Sequence, residues 1–479
     1  MTPSRTPIPA PSLPWIEVAP GAPYFQTEHG ESWTPIGQND AITWPDLLGL
    51  FRRRDLAGAE RYVAGLAAQG VTCMRLMMEY AQGRHRFLEG PAGTFRPAMV
   101  QLWDDLFALC ARHGVRVLLT PFDTFWMWIK WKHHPYNRAN GGPCRRRSGL
   151  LTCPETRAAI KRRLLFATER WGGSGALFAW DLWNEIHPAY GGDDPGCFAG
   201  FVEDLSETLR RREIELYGRS HPQTVSVFGP VLLQYSGVDE AILRHPRLDF
   251  ASTHFYEQGT IDHPRNTVEP AVGTGRLVRE ALAEVPADRP FFDSEHGPIH
   301  TFKDHHRTLP EAFDDEYFRH IQWAHLASGG AGGGMRWPNR NPHTLTRGMR
   351  DAQKALAGFL PLIDWPRFRR RNLNFEIEVE GRGCVGFACG DRDQAVVWIL
   401  RVDRRDRKGM LRKDAEPVSP TVAIPGLAEG RYRVTFWDTV AGRCAGCIEA
   451  GPFSDGRLTV ALPPLRTDLA VAVRPAKVS

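Results

Sequence analysis

Two short stretches, FAWDLWNEIHP and PFFDSEHGP, each run from apolar residues into a glutamate, Glu185 in the first and Glu295 in the second. Glu185 follows Trp180, Leu182 and Trp183, and Glu295 follows Phe291 and Phe292, so both carboxyls leave segments with the composition of buried strands. Two carboxyls presented side by side suit one chemistry in particular. One protonates a leaving oxygen while the other attacks or activates water, which is how a glycosidic bond is broken. The bland alternative is a solvated loop acid at either position. Arg75, in VTCMRLM, is a permanent cation in an apolar run and must face a carboxylate, with Glu295 the candidate and a rim salt bridge the alternative. In STHFYE, Tyr256 can donate to Glu295, and His254 either binds a sugar hydroxyl or serves as a structural histidine.

Eight strand-like runs, centred near Ile36, Cys73, Val117, Trp180, Ser226, Ser252, Phe292 and Gly334, recur mostly at the length of a strand plus a covering helix. Eight such units predict an α/β fold, a closed (β/α)8 barrel whose loops after the strands form the working face. Phe198, Phe201, Val202, Leu205 and Leu209 share one helical face, and Gly70 and Gly114 stand where helix C-caps belong. The interval 122–154 is too long for a simple connection. It is dense in aromatic, basic and glycine residues, and Trp126, Trp128 and His133 within it are candidate substrate contacts. The last helix ends near Leu362. Beyond it, 431–437 (RYRVTFW) and 457–462 (RLTVAL) alternate with period two between turn residues, which predicts a C-terminal antiparallel β-sandwich. The expected division is a catalytic barrel over 1–367 and a sandwich over 368–479.

With these motifs in order, the chain resembles a retaining β-glycoside hydrolase of clan A, and within it the family 5 cellulase and mannanase group. The resemblance covers nearly the whole barrel and implies a carbohydrate substrate and no cofactor. It implies that Asn184 binds the sugar 2-hydroxyl, Glu185 is the acid/base and Glu295 the nucleophile. Arg75 matches the strand-two arginine that positions the nucleophile and keeps it ionised. His254 and Tyr256 match the strand-six His-x-Tyr, and Trp337 in GGMRWPN matches the floor of the sugar site. The family often has a cis peptide just after that tryptophan, and here Pro338 follows it. Strand three, VLLTPFDTF, lacks the histidine many relatives carry near its end. The same residues suit a transglycosylase, and a carbohydrate-binding barrel without turnover is the alternative from another class.

Composition narrows the partners. The 479 residues are 42% hydrophobic and 24% charged, with a net charge of +5, a globular profile with no general push toward nucleic acid or membrane. The first 18 residues lack the apolar run of a signal peptide, and nine scattered cysteines suit reduced thiols, so a cytoplasmic location is the expectation. SGGAGGGMRWP leads into a strand, unlike a nucleotide loop, and Cys144, Cys153, His133 and His134 are irregularly spaced for zinc. No metal is expected.

Overall fold

A computed structural model describes residues 13–52, 54–79, 87–187, 190–191, 196–298, 308–451 and 456–476, so the proline-rich leader falls, through residue 12, outside the described residues. The eight apolar runs form strands β1 (Gly37–Asp40), β2 (Cys73–Met77), β3 (Arg116–Thr120), β4 (Leu177–Asp181), β5 (Gln223–Thr224 and Ser226–Phe228), β6 (Ala251–Phe255), β7 (Phe291–His296) and β8 (Met335–Arg336). Their residues are almost all buried, as strands covered on both faces must be. Each strand pairs in parallel with its neighbours, and Met335 and Arg336 of β8 return to Gly37 and Gln38 of β1. Only Val225, between the two pieces of β5, interrupts the closed barrel.

Helix Pro97–His113 stops at Gly114, whose φ of +73° lets its N–H reach the Cys110 carbonyl and turns the chain into β3. Helix Gly196–Tyr217 buries Phe198, Phe201, Val202, Leu205 and Leu209 on one stripe. An antiparallel sheet not foreseen from sequence, Ile16–Val18, Phe25–Thr27 and Ser32–Trp33, closes the N-terminal mouth of the barrel. Its Phe25 ring meets Phe178, Phe250 and Phe292 at 5.0, 5.5 and 6.4 Å. That mouth is filled with aromatic rings, which leaves the opposite end for a site.

After a final turn at Trp365–Arg367, the chain enters two antiparallel sheets, one of six strands beginning at Arg371 and one of three. Val397, Ile399, Val434 and Val471 face Val422, Ile424, Leu458 and Val460 across the sandwich. The other face of the larger sheet, with Val396, Trp398, Leu400 and Ala470, packs on Trp323, Leu326, Leu356 and Phe359 of the barrel helices Glu311–Ala327 and Arg347–Phe359. Strand Ala395–Arg401 is therefore buried on both faces. No helix among the described residues is long and apolar enough to cross a membrane.

Candidate active site

Arg75 rises from β2 into the barrel interior and is fully buried. A guanidinium there survives only with its charge and donors matched. It donates through Nη1 to Glu295 Oε2 at 3.0 Å and Asn39 Oδ1 at 2.8 Å, and through Nη2 to Asp181 Oδ2 at 2.8 Å and to Asn184 Oδ1. Asp181, inward-facing at the end of β4, is a second counter-ion beside the expected Glu295. Its Oδ2 also accepts from Ser226 Oγ at 2.9 Å.

Glu295 is set by a register shift between β6 and β7: Thr253 pairs with Asp293 but His254 pairs with Glu295, so Ser294 is an extra residue on β7. Besides Arg75, Glu295 accepts a hydrogen bond from Tyr256 at 2.6 Å. Burial pushes its carboxyl above the usual range and the Glu185 charge adds to this, while His254, Arg75 and the Tyr256 hydroxyl oppose it.

Glu185 lies four residues past the end of β4 with φ at +51°, the left-handed region. Flanking strands hold it there: Asn184 N–H donates to Phe122 O at 2.8 Å, Thr124 N–H to Asn184 O at 3.1 Å, and Ile186 N–H to Ser226 O at 3.3 Å. Burial raises its carboxyl to about 7 and the Asp181 charge raises it too, against Arg75. His254 Nδ1 lies 2.7 Å from Glu185 Oε1, and its Nε2 3.1 Å from Ser294 Oγ. Burial lowers His254 to about 4, so the ring is neutral near neutral pH and takes up or gives one hydrogen bond according to the state of Glu185.

Above these groups, at the C-terminal ends of the strands, opens a cavity of about 410 Å³. Asn184, Glu185, Tyr256, Glu295, Trp126, Trp128 and Trp337 all line it. Arg75 and His254 are not on its wall: they stand behind the two carboxyls, Arg75 on Glu295 and His254 on Glu185. His133 is also outside the wall, on a one-turn helix Trp131–His133. Its neighbour His134 turns inward to Glu79 at 2.9 Å, and His133 itself is half-buried. The bond after Trp337 is trans, the cis bonds among the described residues being Gly90–Pro91 and Asn341–Pro342. Trp337 lines the cavity with Met77 and Trp126 and packs against Trp44 behind them.

Sequence reasoning missed Asp123, Phe125, His187 and Phe228, which also line the cavity. Phe125 and Trp128 are 41% and 44% exposed, so each offers a ring face to a ligand. Asp123, three residues past β3, accepts from Asn184 Nδ2 and caps helix Thr124–Ile129 at Trp126 N–H. Burial holds its carboxyl well above the usual range, with the Glu185 and Glu295 charges adding to the effect.

One ligand atom each of Glu185, His254 and Glu295 lie within 4.8 Å of one another, close enough on distance alone to share a cation. The Arg75 guanidinium on Glu295 already supplies that positive charge and repels another. Of the residues weighed above for zinc, His134 hydrogen-bonds Glu79 and the Tyr136 amide, and Cys153 Sγ donates to Glu155.

No protein-family model and no curated protein matches the chain. Solved structures do. One described as a glycoside hydrolase has 13% identity and a TM-score of 0.60, with 98% of this chain and 99% of that one covered. A glycoside hydrolase family 5 protein from Bacteroides vulgatus ATCC 8482 has 11% identity, a TM-score of 0.59 and coverage of 97% and 95%. A family 5 mannosidase from Rhizomucor miehei has 13% identity, a TM-score of 0.51 and coverage of 68% and 86%. At such identities the likeness is one of fold, and in the first two it takes in barrel and sandwich together.

Proposed function

We propose that this chain is a retaining β-glycoside hydrolase of the family 5 type, acting on a carbohydrate with Glu295 as nucleophile and Glu185 as acid/base. The observation that carries the reading is the pair itself: carboxylate oxygens within 4.8 Å at the rim of an aromatic cavity. Retaining enzymes keep their carboxyls about 5–5.5 Å apart, while inverting enzymes leave about 6.5–9.5 Å for a water. The glycoside hydrolase names of the structural neighbours support the same class.

The environments divide the labour. Glu295, with two donors on its oxygens, attacks the anomeric carbon as a carboxylate. Glu185, protonated up to about pH 7, gives its proton to the departing glycosidic oxygen. The C–O bond breaks as the glycosyl ester on Glu295 forms, and loss of that negative charge lowers the proton affinity of Glu185. Glu185 then takes a proton from water, the oxygen attacks the anomeric carbon, and Glu295 leaves with the configuration restored. Asn184, its oxygen fixed by Arg75 and one amide hydrogen by Asp123, has its other amide hydrogen for the sugar 2-hydroxyl.

The test is turnover of aryl β-mannosides, glucosides, galactosides and xylosides and of short oligosaccharides, with Glu295→Gln as the control. Wild-type turnover with retained product configuration, falling about 10⁴-fold in the variant, is expected. An inverted product, or turnover undiminished in Glu295→Gln, would discard the assignment.

A further inference from the structure

The loop 122–154 has six cationic side chains, Lys130, Lys132, Arg138, Arg145, Arg146 and Arg147, against one carboxyl, Asp123, a surplus as large as that of the whole chain. Asp123 is fully buried and turned to Asn184, so it neutralises none of them. The loop doubles back on itself. Asn137 bridges Cys144, and Arg138 N–H donates to Cys144 O at 2.9 Å, which brings Arg138 beside Arg145 and Arg146. The fold-back depends on Gly142, where a Cβ would lie 2.2 Å from the Pro135 carbonyl oxygen.

The three arginines line an open pocket of about 700 Å³ in which Glu155, itself exposed, is the only acid on the wall. None of the three is paired with a carboxylate among the described residues. Such clustering of like charge costs free energy unless an anion joins it. The support beneath is rigid: His134 reaches Glu79, Tyr136 reaches Glu89 at 3.2 Å, and Arg163 joins both acids in the core.

One residue links the pocket to the cavity. Arg147, next in the chain to Arg146, stacks over the Trp128 ring at 4.3 Å, and Trp128 is a cavity wall. We propose that Arg138, Arg145 and Arg146 bind a negatively charged group of a glycan, a carboxylate, sulfate or phosphate ester, held beyond the sugar that sits at the carboxyl pair. The proposal rests on the hydrolase reading for its substrate class, and it makes that substrate an acidic saccharide.

The test uses the full-length Glu295→Gln protein and measures binding of uronate-, sulfate- and phosphate-bearing oligosaccharides, each against its uncharged counterpart, with inorganic phosphate alone as a further arm. At least one acidic glycan is expected to bind about tenfold more tightly than its counterpart, a preference that collapses in Arg138→Gln/Arg145→Gln/Arg146→Gln and in about 0.5 M salt. The substitutions are on exposed side chains, and an unchanged circular dichroism spectrum checks folding. Failure of every acidic glycan to outbind its counterpart, or a preference that survives the triple variant, overturns the proposal. Inorganic phosphate binding as tightly as the glycans would make this a free-anion site and overturn the glycan assignment. The hydrolase reading fails separately, by turnover that persists in Glu295→Gln.

Discussion

Glu185 is held in a backbone conformation and a dielectric environment that both act against it. A left-handed φ on a non-glycine residue costs about 1–2 kcal/mol, and burial lifts its carboxyl to about 7. The first consequence is kinetic. An acid with that value donates its proton below neutrality, so the basic limb of kcat/KM should fall near pH 7, and Glu185→Gln should slow substrates with poor leaving groups about 10²–10⁴-fold while sparing activated aryl glycosides. The second is a linkage. The unfolded carboxyl releases its proton near pH 4.3 and the folded one near 7, so ionisation favours unfolding increasingly as pH rises between those values. Glu185→Gln should therefore leave stability nearly unchanged near pH 4 and raise it by about 3–4 kcal/mol at pH 8, read from melting curves at both. Equal shifts at the two pH values would contradict this account. Much of the residue-scale pattern was legible: a buried-strand Arg75 demanded an acid, and the two Glu-ending strands demanded each other. Asp181 was not, because its inward direction depends on which residue of WDLWNE ends the strand.

The long element 122–154 shows where reading a sequence runs out. Trp126, Trp128, Trp131, His133, His134 and Tyr136 crowd one stretch with no sustained period, so spacing could not tell wall from core. Their directions are set by a partner elsewhere in the chain. Arg163, on helix Pro154–Trp171, pairs with Glu79 and Glu89 and lies over the Phe122 and Tyr136 rings at 4.7 and 4.8 Å. This pulls His134 and Tyr136 inward and leaves Trp128 and the arginines outward. Burial would raise Glu79, but the Arg163 and His134 charges overcome it and hold the carboxyl at about 2. Arg163→Met strands two buried acids and should cost about 3–5 kcal/mol in urea denaturation. By contrast all eight strands were legible, with the first two centres placed a couple of residues early, because parallel strands buried on both faces write continuous apolar runs.

At the scale of the molecule, the sandwich is joined to the barrel by an apolar sheet face, by hydrogen bonds and by ion pairs, of which Arg319–Asp468 is the buried one and Arg405–Glu269 lies at the surface. Arg319 pairs with Asp468, which also accepts from Trp398 Nε1 at 3.0 Å. Trp398→Ala should cost about 3–5 kcal/mol, and calorimetry should show barrel and sandwich melting in one transition before and after the change. Burial opposes the charge on Asp468 but Arg319 prevails, holding it at about 2. The stability this pair contributes is present above the unfolded carboxylate value and is lost as pH falls toward 2. Barrel closure has a consequence for synthesis. Asn39, from the first strand, donates to the carbonyls of Ser294 and Met335 and accepts from Arg75, so the hydrogen-bond frame under the nucleophile spans both ends of the barrel sequence. A nascent chain that has not yet delivered Met335 holds an open sheet with two bare edges and no site. Its period of greatest exposure to wrong pairing therefore lasts until the eighth strand leaves the ribosome.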